Sequence, residues 1–182
     1  MPYSADAIAN YFLSRAESEG RTLTQLQVQK LAFYAHGWHL ALDAEHRPLI
    51  GEQPEVWRHG PVFRSLYSEF ADYGSKPISK KAQEFHFIKG EKGTEFQFYE
   101  PSIDNEFPPD IDRDFAKALL NRIWELYGHF TPYQLSNMTH QEGEPWRVIR
   151  DSLPPGNLPQ GLHLPNETTR ECFQKKLTPT AS

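Results

Sequence analysis

A chain of 182 residues is long enough to bury the core of one domain, and 38% hydrophobic with 24% charged residues is the balance of a soluble globular protein. A formal net charge of −5 argues against nucleic-acid binding by electrostatics alone, which needs a basic face. The single cysteine, Cys172, excludes an internal disulfide or a cysteine-rich zinc site, no apolar run nears the roughly 20 residues of a membrane span, and the first residues lack a signal peptide's layout, so a cytoplasmic location is expected.

Ser4 is placed to cap a first helix that stops at Gly20, with Ile8, Tyr11, Phe12 and Ala16 on one face. A second helix over 24–42 is the centre of the chain. Thr24 and Gln27 form the T-x-x-Q capping box, and Leu26, Leu31, Tyr34, Ala35, Trp38 and Leu42 recur at helical spacing. Lys30 stands in that apolar row, while His36 and His39 are expected on the solvated side. After a loop, Glu55-Val56-Trp57-Arg58 reads as extended, and Gly60-Pro61 reads as the start of a third helix that closes at Gly74, because proline is tolerated at a first helical position.

From Phe85 to Tyr99 the period changes to two. Phe85, Phe87, Phe96 and Phe98 flank a glycine-rich turn, the pattern of a β-hairpin expected to lean on the helices or to pair with the Val56 segment. An acidic, proline-containing loop leads to a helix over 115–127. Thr131 and Gln134 make a second capping box with Pro132 at the first helical position, and Pro145 opens a further turn through Trp146. A Pro/Gly-rich loop at 154–165 precedes a last helix over 166–177, capped by Asn166. The reading is mainly α: a single compact domain of about six helices with a small inserted β-hairpin, its core over 4–153.

Four groups carry possible chemistry. Lys30 in an apolar row calls either for an ion pair, with Glu52 or Glu55 as the partner, or for a reactive lysine of lowered pKa. His36 and His39 at i, i+3 offer a metal pair, but no cysteine and no HExxH accompany them, so no metal or other cofactor is expected. Arg58 and His59 beside a helix start would favour an anion. His140 and Glu142 would serve as a base and an acid, or would hold Trp146 in place. No nucleophile motif is present, and an enzyme or nucleotide-binding protein using Lys30, Arg58, His59 and His140 would require those four to converge in one pocket.

Taken together, LTQLQVQKLAFYAHGWHLAL, EVWRHGPVFRSLYSEFADYG and YGHFTPYQLSNMTHQEGEPW resemble, in that order, the signature blocks of the Panacea domain, the antitoxin-like domain named for SocA-type proteins. The likeness spans roughly 4–153. Its motif positions here are Lys30, Trp38, Trp57, Gly60, Pro61, Tyr67, Thr139, His140, Glu142 and Trp146, as structural or interface residues. One more residue between Glu142 and Pro145 and a long loop after Pro154 depart from the pattern.

The resemblance implies a mainly helical, non-enzymatic binding protein, found beside toxin genes and in prophages. Its partner would be a cognate protein toxin, toxic small alarmone synthetases among them, neutralised by direct contact. The alternative is a proteolytic adaptor that delivers the toxin to a protease. The exposed aromatics and acids of the central helix, the hairpin and the Asp104–Asp114 loop are the expected surfaces, and oligomeric state is left open.

Overall fold

The computed structural model describes residues 2–90, 93–106, 108 and 110–178. Seven α-helices and two small antiparallel hairpins make up the described fold: α1 Ala5–Ser18, α2 Gln25–Leu42, β1 Glu55–Trp57, β2 Gly60–Val62, α3 Arg64–Glu69, β3 Glu84–Gly90, β4 Gly93–Tyr99, α4 Arg113–Tyr127, α5 Pro132–Thr139, α6 Pro145–Ser152 and α7 Asn166–Lys175. Both capping boxes form, at Thr24/Gln27 and at Thr131/Gln134, and Ser4 caps α1.

The second helix is the hub. It packs against α1, α3, α4, α5, α7 and β2, so nearly every side chain from Val28 to Ala41 is buried, whatever face it occupies. This explains why an amphipathic reading of α2 fails for its histidines. His36 and His39 are fully buried rather than solvated, because partners enclose the helix on all sides. Each finds local hydrogen bonds. His36 Nδ1 accepts from the Ile50 N–H at 3.3 Å, which leaves the proton on Nε2 to donate to Asn166 Oδ1 at 3.0 Å. His39 Nδ1 lies 2.9 Å from the Arg47 carbonyl, donating to it. Asn166 is therefore not the cap of α7: it is the first residue inside that helix, its side chain turned to His36.

Burial without a countercharge holds the His36 imidazole down at about 4. Titration followed by ¹H–¹⁵N spectra should show His36 neutral, as the Nε2–H tautomer, until the pH approaches that value; a midpoint near 6.5 would contradict its enclosure. Sign and window follow from linkage. The unfolded chain takes up this proton below pH 6.5 while the folded one does not, so the His36 contribution to stability is lost as pH falls from 6.5 towards 4.

The last helix docks on the hub through one aromatic. The Phe173 ring lies so close to Gly37 that a β-carbon there would come within 2.6 Å of Phe173 Cε2, a contact only glycine permits. Phe33, Tyr34 and Trp38 surround the same ring, at centroid distances of 6.0, 6.1 and 5.2 Å. Tyr34 in turn stacks on Tyr127 of α4 at 4.4 Å, and Trp38 Nε1 donates to the Tyr127 hydroxyl.

The hairpins depart from expectation in two ways. Gly60-Pro61 does not begin a helix: Gly60 to Val62 is a strand paired with β1, joined by a two-residue turn at Arg58 and His59, and α3 begins only at Arg64. Gly60 adopts φ +99°, outside the helical region, and Phe63 at the head of α3 is held by the Gln29 amide, which accepts from the Phe63 N–H at 2.8 Å and donates to its carbonyl at 2.9 Å. The expected β3–β4 hairpin forms, and its register sets Phe85 opposite Phe98 and Phe87 opposite Phe96, with the Glu91-Lys92 part of the turn outside the described residues. It neither pairs with the Val56 segment nor covers its phenylalanines. Asn10 grips its root, donating to the Ala82 and Pro101 carbonyls and accepting from the Ala82 N–H, and Tyr99 donates to Glu84 across it.

Candidate functional site

The motif residues far apart in sequence meet where α2, the β1–β2 hairpin, α5 and α6 join. Lys30, supplied by α2, lies beneath the hairpin with no solvent exposure, and its Nζ donates to the Pro61 carbonyl at 2.7 Å. No carboxylate pairs with it among the described residues. Glu52 caps Ser65, and Glu55 accepts from Trp57 Nε1 at 2.7 Å and faces Arg64 at 3.6 Å. The ion pair expected for Lys30 is absent, and burial alone pulls its amine down to about 7.

Above the lysine the hairpin is clamped from the other side. Ser136 donates to the His59 carbonyl at 2.9 Å, Thr139 donates to the Ser136 carbonyl at 2.7 Å, and Trp146 Nε1 donates to the Trp57 carbonyl at 2.8 Å. A β-carbon on Gly60 would collide with Thr139 Oγ1 and sit 2.9 Å from Lys30 Nζ. His140 lies on the Trp146 ring at 3.9 Å, its pKa lowered first by burial and then by Lys30, His59 and Arg147. Seven of the ten motif positions, Lys30, Trp57, Gly60, Pro61, Thr139, His140 and Trp146, thus belong to one junction.

Three do not lie in it. Tyr67 packs against Trp57 from outside at 4.7 Å and is 43% exposed; Trp38 belongs to the aromatic cluster under α7. Glu142 points to solvent, and the structural carboxylate of that loop is Glu144, which is buried and accepts from Lys176 at 2.6 Å. Sequence reading missed Glu144 because its partner lies 32 residues further on. It missed Gln29 for the same reason.

The four residues of the nucleotide-binding alternative gather around the junction but do not line one open pocket. Lys30 is sealed under Gly60 and Pro61, His140 is occupied by Trp146, and Arg58 and His59 stand exposed at the hairpin turn. Beside the junction lies an open cleft of about 740 Å³ between Trp57, Arg58, Arg64, Trp146, Arg150 and the 156–161 loop. That loop reaches it because 162–164 line up beside β1: the Val56 N–H donates to the Leu162 carbonyl and the Leu164 N–H to the Pro54 carbonyl, both at 2.7 Å.

The family model described as antitoxin SocA-like, Panacea domain, matches residues 28–147, from the turn of α2 that carries Lys30 to just past Trp146. The chain belongs to this family. The matched span holds the whole junction and is narrower than the 4–153 read from the motif blocks. Outside the matched span, α1 and α7 also pack on α2. The chain is also 29% identical over 175 residues to Antitoxin SocA of Caulobacter vibrioides, covering 95% of this chain and 85% of that protein. No solved structure matches it. No helix among the described residues is long and apolar enough to cross a membrane.

Proposed function

We propose that this Panacea domain is a cytoplasmic antitoxin that neutralises a cognate protein toxin by direct contact and without catalysis. The observation that carries the reading is the likeness to Antitoxin SocA, which runs through nearly the whole chain and includes the junction residues. The chemistry of the junction supports a scaffold role: its one lysine is enclosed, its hydroxyls bond to carbonyls, and its tryptophan holds a strand in place. A binding protein needs this rigidity so that its surface is already ordered when the partner arrives.

The test is co-expression with the gene adjacent to its own, with a toxic small alarmone synthetase as the first partner class to try. Growth should be restored while the toxin remains at full level in the lysate. Growth restored with the toxin depleted, and only when a protease is present, would replace neutralisation by delivery for degradation. Lethality unrelieved by co-expression would overturn the antitoxin reading.

A further inference from the structure

The β3–β4 hairpin presents one side made of four phenylalanines. Phe85, Phe87, Phe96 and Phe98 are 56%, 65%, 66% and 68% exposed, and they touch chiefly one another, with centroids 4.9 Å apart for Phe87/Phe96 and 6.3 Å apart for Phe85/Phe98. Side chains two apart on a strand share a face, so the register puts all four on the same side. A two-stranded hairpin is marginal in water, and a contiguous exposed aromatic patch marks a surface that is covered in use.

Charge identifies what covers it. Between Glu84 and Asp114 the sequence carries nine carboxylates against three Lys and Arg, so this stretch alone accounts for the net negative charge of the chain. Glu100 stands exposed just beyond Phe98 and Asp104 on the loop that follows, where it pairs with Lys117, while Glu95 is exposed on the side of β4 opposite the phenylalanines. A second copy of the chain would bring two acid-rich stretches together, and an anionic lipid surface or a nucleic acid would be repelled in the same way. A protein whose apolar groove is ringed by Lys and Arg meets both the aromatic and the acidic requirement.

We propose that the Phe85/Phe87/Phe96/Phe98 face is the toxin-docking surface and that it takes a toxin whose apolar groove is ringed by Lys and Arg, the acids of this stretch steering the approach and the phenylalanines seating it. This rests on the antitoxin reading and locates its interface away from the Lys30 junction.

The experiment measures affinity between the purified full chain and the purified product of the adjacent gene, first for the wild type. Phe87→Ser/Phe96→Ser should weaken binding at least about 30-fold, as loss of central aromatic anchors does, with a melting temperature close to wild type because the rings are two-thirds exposed. Glu95→Lys/Glu100→Lys should slow association about 10-fold and remove much of its salt dependence. Wild-type affinity in the serine variant would overturn the proposal. So would a wild-type dimer that becomes a monomer in that variant, since the face would then belong to a second copy. If the wild type itself shows no binding, the antitoxin reading has failed, and the docking proposal fails with it.

Discussion

Gly60→Ala is expected to lower the stability of the fold by about 3–5 kcal/mol, a large part of the 5–15 kcal/mol that holds a typical domain together. Two costs coincide at this position. An alanine at φ +99° is strained by about 1–3 kcal/mol, and its methyl group would enter space already filled by Thr139 Oγ1 and Lys30. Neither neighbour is a free-swinging surface chain. Thr139 is fully buried and bonded to Ser136, and Lys30 is fixed by Pro61. Relief requires moving the hairpin, which strains the Trp146 bond to Trp57. Gly20→Ala is the control: that glycine also has positive φ, +66°, but nothing lies within 4 Å of its would-be β-carbon. It should cost about 1 kcal/mol, from backbone conformation alone. Equal losses for the two variants, measured by denaturant titration, would show that the packing of Gly60 on Lys30 and Thr139 is not tight.

Lys30→Met should do the reverse and raise stability at pH 7, by about 2 kcal/mol, because it removes a buried amine that has one carbonyl and no carboxylate for company. The effect depends on pH in a defined direction. Below about pH 7 the amine is charged in both states and the full burial penalty applies. Between about 7 and the unfolded value of 10.5, the unfolded chain keeps a proton that the folded protein has shed, so stability rises with pH. The slope is up to about 1.4 kcal/mol per pH unit. Methionine has no such slope, so its advantage should shrink from pH 7 to pH 9. The comparison isolates Lys30, because Tyr34 and Cys172, both pushed up by burial, act equally in the two proteins. A variant that melts below wild type at pH 7, or that keeps a constant advantage to pH 9, would mean that Lys30 has a charged partner.

Local chemistry was legible in the sequence wherever a residue's partner lies within one turn. Thr24 with Gln27 and Thr131 with Gln134 are such pairs, and the alternation of phenylalanines marked the β3–β4 hairpin. Legibility ended where the partner is remote. Gly60-Pro61 satisfies the local rule for a helix start, yet Lys30, 31 residues before Pro61, and Thr139, 79 residues after Gly60, determine its conformation. Asn166 satisfies the rule for a cap, yet serves His36, 130 residues away. The histidines of α2 were misplaced because helical periodicity reports one buried face, and this helix has no solvent face. The motif order pointed to the family, but which motif residues touch was not readable: Glu142 and Glu144 share a loop and a charge, and only Lys176 tells them apart.

The most direct test of the central claim is the mass of the species formed when the purified protein is mixed with the purified product of its adjacent gene. A stable complex containing both chains intact is expected, with the toxin inactive while bound. Two separate species, with the toxin still active in the mixture, would contradict it.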